Sequence, residues 1–90
     1  MDMSMEGLNT DWLTADELRE AGFSSVGEHT LVSRKCSLYA ITGSIGSHVR
    51  VDDFCILKGN ITLDDYVHIA AFGMISGIHA PVTIGRHVGI

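Results

Sequence analysis

Five histidines, His29, His48, His68, His79 and His87, are the side chains of this 90-residue chain best suited to proton transfer, because imidazole titrates near neutral pH. Three of them share one setting. His29, His48 and His87 each lie three residues after an aliphatic (Val26, Ile45, Ile84), and Tyr66 holds the same place after Leu63. A slot repeated in this way reads first as an outward column on a surface. His79 stands outside that pattern, in the stretch Ser76 to Thr83 that also carries Pro81. Segments displayed on a rigid scaffold carry function disproportionately, which makes His79 a candidate general base; a merely solvated histidine is the competing reading. Asp52-Asp53 and Asp64-Asp65 open two repeats, and the first of each pair falls where a turn residue belongs. That leaves Asp53 able to orient a histidine or to hold a hydroxyl-bearing ligand. Cys36 and Cys55 fall in one repeated small-residue slot and read as small core hydrophobes. The glycines form no phosphate-cradling signature ahead of a helix.

What positions these residues is a beat of six. Val26, Val32, Leu38, Ile45, Val51, Leu57, Leu63, Ile69, Ile75, Ile84 and Ile90 recur every sixth residue, with two longer steps. A helix repeats near 3.6 and a simple strand at 2, so neither sustains this period. Hexads describe a parallel β-helix in which each hexad makes one short side of a coil. Leu63 follows Ile45 by 18 residues, and Ile69 follows Val51 by 18, as three sides per coil require. Small or β-branched residues four places after each aliphatic (Thr30, Cys36, Thr42, Val49, Cys55, Ile61, Val67, Gly73, Val88) suit tight inward corners. One extra residue is expected near Gly43-Ser44. Three more enter between Ile75 and Ile84, where Pro81, unable to donate to a ladder, predicts a small loop leaving the coil.

Three segments follow. Residues 1–11 read as a flexible arm, 12–25 as a capping helix with its lead-in, and 26–90 as the repeat. Thr14 and Glu17 form a capping box, Leu13 and Leu18 a hydrophobic staple, and Gly22 a left-handed stop. The helix is expected to plug the first coil, since the end of a solenoid is an unpaired edge. The repeat reaches Ile90 on an inward aliphatic with no closing element, so the chain reads as the amino-terminal part of a longer protein, or as one whose open end a partner covers.

A net charge of −5 argues against nucleic acid as a partner. No apolar run is long enough for a membrane-spanning helix, and no signal peptide is evident, which predicts a cytoplasmic protein.

The runs Ile45-Gly46-Ser47-His48-Val49-Arg50-Val51-Asp52-Asp53-Phe54-Cys55-Ile56-Leu57, Tyr66-Val67-His68-Ile69-Ala70-Ala71 and Ile84-Gly85-Arg86-His87-Val88-Gly89-Ile90 resemble the hexapeptide-repeat acyltransferases. The resemblance extends over most of the chain from Trp12 onward. It is greatest to bacterial sugar O-acetyltransferases of the galactoside and capsular-polysaccharide type. It implies a left-handed parallel β-helix assembled as a homotrimer, which moves an acetyl group from acetyl-CoA to a saccharide hydroxyl. A histidine is the general base of such enzymes, and the coenzyme lies along coils toward the carboxyl end. On that basis His79 is the candidate base, His68 a candidate coenzyme contact, with burial against a neighbouring subunit as its alternative, and Asp53 a candidate contact to the sugar. No metal is expected: the spacings of His68, His79 and His87 do not match the close histidine pair of the zinc carbonic anhydrases built on this fold. The rival reading is a non-catalytic module that only oligomerises.

Overall fold

A computed structural model describes residues 11–90; all of the expected arm except Asp11 lies outside them. The chain forms one short helix, α1 (Ala15–Ala21), and seven strands: β1 (Ser25–Val26), β2 (Leu31–Val32), β3 (Ser37–Ile45), β4 (Arg50–Val51), β5 (Ile56–Leu63), β6 (His68–Ile69) and β7 (Met74–Ile84). Strands β1-β3-β5-β7 make one parallel sheet and β2-β4-β6 another. Each long strand covers two sides of a coil by bending at a corner, so the result is the expected parallel β-helix of about three turns behind a helical cap. Partners are 19 residues apart early on (Val26 with Ile45, Val32 with Val51) and 18 apart between Val51 and Ile69 or Leu57 and Ile75.

The bore holds the aliphatics of the six-residue beat. Val32, Val51, Leu57, Leu63 and Ile69 are fully buried, with Val49, Cys55, Ile61 and Val67 filling the corners between them. Stacking like residues on successive coils removes apolar surface from water without any helix or second layer. Ile90, at the last coil edge, is 55% exposed.

The cap forms as the punctuation predicts. Thr14 Oγ1 accepts from the Glu17 N–H at 3.1 Å, and Glu17 Oε1 accepts from the Thr14 N–H at 2.9 Å. Leu18 and Phe23 enter the core. Gly22 ends the helix at φ 132°, and a Cβ there would collide with the Ile41 carbonyl. Ahead of the helix, Trp12 pairs antiparallel with Ser33, and the Leu13 N–H donates to the Val32 carbonyl at 2.8 Å. The edge strand β2 is thereby covered, as an unpaired edge requires.

Two irregularities differ from the sequence reading. The single extra residue enters between Tyr39 and Thr42, not at Gly43-Ser44. Ala40 takes the left-handed corner at φ 50°, which turns the Ile41 side chain inward to 4% exposure and leaves Thr42 exposed. The three-residue expansion does not leave the coil as a separate loop. Strand β7 runs through it, with Gly77 still paired to Gly59 and Val82 to Ile61. Residues 78–81 thus stand where β5 has Asn60 alone.

Candidate functional site

Three corners recur in every coil, and polar chemistry gathers at two of them and on the face between. At the corner after β1, β3, β5 and β7 the predicted outward column exists. His29, His48, Tyr66 and His87 stack with ring centroids 5.0, 4.8 and 5.0 Å apart, close to the spacing of neighbouring strands. All four residues sit in the left-handed region, at φ of 58 to 63°, so one turn geometry, repeated coil by coil, aims each ring alike. Stacked rings present no converging lone pairs, and among the described residues no three His, Cys, Asp or Glu side chains assemble as metal ligands.

The second corner follows β2, β4 and β6. Phe54 and Phe72 stack there at 5.3 Å, with the Lys35 ammonium 5.7 Å from the Phe54 ring. Asp53 lies in this turn. Its Oδ1 accepts from the buried Ser33 hydroxyl at 2.6 Å, and its Oδ2 is 3.9 Å from the Lys35 Nζ. Cys36 and Cys55 line the inside of the corner as free thiols, donating to the Asp52 and Ala70 carbonyls at 3.0 and 3.1 Å. Burial pushes the Cys36 thiol up to about 11, so it stays protonated and unreactive at neutral pH.

Between these corners lies the outward face of β2-β4-β6, and here one connected polar set forms. The register puts Leu31, Arg50 and His68 in one row. Asp52, two residues beyond Arg50, reaches His68 across the coils: its Oδ2 lies 2.9 Å from His68 Nε2, and its Oδ1 accepts from Arg50 Nε at 2.7 Å. The Arg50 guanidinium sits 5.6 Å from the Trp12 ring centroid. Burial pushes the Asp52 carboxyl up, but the hydrogen bonds from His68 and Arg50 outweigh it and hold the group below the usual carboxylate range. Asp52 is thus anionic at neutral pH and orients one imidazole. His68 is half-exposed, and its main chain pairs with the next coil at Val88 and Ile90.

His79 occupies a different place. It is exposed on the expanded corner of β7, in the other sheet, between Ile78 and Pro81. His68, His79 and Asp53 therefore stand on β6, β7 and the turn after β4 respectively. Only the His68 side chain is joined to that turn, through Asp52. Arg50 and Asp52 were missed as site residues in the sequence. Writing the hexads beneath one another would have placed both beside His68.

Hexads and fold together define a hexapeptide-repeat β-helix, and the proteins to which it is similar are acyltransferases. The chain is 42% identical to an Escherichia coli dTDP-4-amino-4,6-dideoxy-D-glucose acyltransferase, over 88% of its own length and 43% of that relative. It superimposes with a TM-score of 0.70 and 42% identity on a single-site mutant of AntD, an N-acyltransferase from Bacillus cereus in complex with dTDP and coenzyme A, covering 81% of this chain and 40% of that one. The chain thus spans less than half the length of either. No family model matches it. Among the described residues, no helix is long and apolar enough to cross a membrane.

Proposed function

We propose that the protein of which this chain forms part transfers an acyl group from an acyl-CoA to the amino group of a dTDP-linked amino sugar. The observation that carries this reading is the 42% identity, sustained over 88% of the chain, to an acyltransferase acting on a dTDP-amino sugar. The matching fold of an N-acyltransferase holding both dTDP and coenzyme A supports it. Acetyl-CoA remains the simplest donor. The acceptor, however, is revised from the saccharide hydroxyl expected from sequence to a saccharide amine. A neutral amine is already nucleophilic, so the protein needs only to place it near the thioester and take up the proton it sheds.

The acting species is taken to be a homotrimer. Phe72 and Met74, 77% and 60% exposed, are apolar side chains that such an assembly would cover.

Thiol release from acetyl-CoA tests the reading, measured with dTDP-4-amino-4,6-dideoxy-D-glucose and with the same nucleotide sugar bearing hydroxyl in place of amine. The expected result is an amide product by mass spectrometry and background release with the hydroxyl compound. Faster turnover of the hydroxyl compound would restore O-acyl transfer. No release with either acceptor, together with no binding of coenzyme A or dTDP, would favour the non-catalytic module.

A further inference from the structure

Amide formation requires some group to accept the proton of the attacking amine. We propose that His68, oriented by Asp52, is that acceptor, an assignment that rests on the acyl transfer proposed above. His68 Nε2 lies 2.9 Å from Asp52 Oδ2. An anionic carboxylate can only accept there, so Nε2 carries the hydrogen and the Nδ1 lone pair is left available. Nδ1 has no partner among the described residues.

Asp52 is itself held. Its second oxygen takes the Arg50 Nε–H at 2.7 Å, Arg50 lies over Trp12, and Trp12 is pinned by its bridge to Ser33. Orientation is handed from the cap to the imidazole through four residues. Among the described residues, the charged groups joined to or in register with His68 are Asp52 and Arg50; the Val88-Gly89 segment paired with it adds none.

The imidazole is also accessible: the His68 side chain is half-exposed, and Ala70, two places along the same face, is small and exposed. His79, by contrast, has no side-chain partner among the described residues to fix its tautomer.

In the step itself the amine lone pair attacks the thioester carbonyl, forming the C–N bond, and its proton passes to His68 Nδ1. Collapse of the tetrahedral adduct breaks the C–S bond, and the departing thiolate takes the proton from the imidazolium. The products are the amide and free coenzyme A, with His68 neutral again. Asp52 touches no reacting atom; it is a positioning residue that also stabilises the transient imidazolium.

The test is the thiol-release assay on the intact protein and on H68Q, D52N, D52E and, as a surface control, H48Q, each first shown to melt as the parent does. H68Q should lower kcat at least about 100-fold with KM little changed. D52N should lower kcat about 10-fold with KM little changed, and D52E should recover part of that loss, because an imidazole without its carboxylate is no longer held in one tautomer. H48Q should act as the parent does. H68Q with undiminished kcat, D52N with undiminished kcat, or loss of turnover in H79Q but not H68Q would each overturn the assignment. A parent protein that releases no thiol would instead overturn the acyl transfer, and His68 as its proton acceptor with it.

Discussion

One corner of the coil is lengthened twice, and the two insertions are put to opposite use. Between Tyr39 and Thr42 the extra residue turns Ile41 into the core, directly beneath the Gly22 end of the helix. Between Gly77 and Val82 the three extra residues turn outward, leaving Ile78, His79, Ala80 and Pro81 all exposed. The first insertion creates the seat on which the cap rests. The second buries nothing of its own and leaves the pairings on either side of it intact. An interruption of a solenoid can be an anchor or a display, and burial of its side chains decides which.

The largest expected effect breaks the anchor. Ile41→Ala removes a buried side chain beneath a cap that has little room to collapse, and should cost about 2–5 kcal/mol, as buried Ile-to-Ala changes do. Denaturant unfolding monitored by circular dichroism would measure it. A loss below about 0.5 kcal/mol would mean that the cap does not depend on this insertion, and the contrast between the two corners would lose its basis.

A smaller effect lies within the cap. Glu17 closes the capping box and also receives Arg34 Nη1 and Nη2 at 2.7 and 2.8 Å, while the Arg34 Nε–H reaches Asp11 at 2.9 Å. The hydrogen bonds from Arg34, then that from the Thr14 backbone, hold the Glu17 carboxyl down at about 2 against an ordinary 4.5. Because the folded value lies below the unfolded one, its contribution is complete above about pH 4.5 and is lost as pH falls toward about 2. Thr14→Ala should cost about 1 kcal/mol at neutral pH, the usual price of a lost N-cap. The bond it removes, from the Glu17 N–H to the Thr14 hydroxyl, is neutral, so the cost of Thr14→Ala should not depend on pH. The carboxylate is probed by Glu17→Gln, whose difference from the parent should shrink as melting is followed down through this acid window. A difference that persists unchanged at pH 2 would mean that the Glu17 charge does not hold the cap.

How much of this was legible in the sequence follows from what repeats. Val51, Leu57, Leu63 and Ile69 announce the coil because each does the same thing one side later, and periodicity is what a sequence displays most plainly. The ring column of His29, His48, Tyr66 and His87 was visible for the same reason. Ile41 was not, because it lies off the beat and is recruited inward only by the left-handed corner at Ala40. The Asp52–His68 contact was hidden differently. Its partners are 16 residues apart, and they meet only because a coil of 18 brings Arg50 beneath His68 and Asp52 two places further along the same face. His79 drew notice as a break in the pattern, yet a break identifies a place in the chain and not the neighbours it will have.

The smallest expected effect concerns the display. If residues 78–81 only project from the corner, Ile78→Ala, at a side chain 49% exposed, should change stability by no more than about 0.5 kcal/mol. Replacing the four residues by a single Asn, to copy the corner that β5 makes with Asn60, should leave the melting transition cooperative, because the pairings on either side already match β5. The same replacement removes His79, so thiol release by that variant reports whether the display contributes to turnover. Retained stability with lost acyl transfer would make the expanded corner a functional insertion. A cooperative unfolding transition broadened or lost would show instead that the second insertion, like the first, had been holding the coil together.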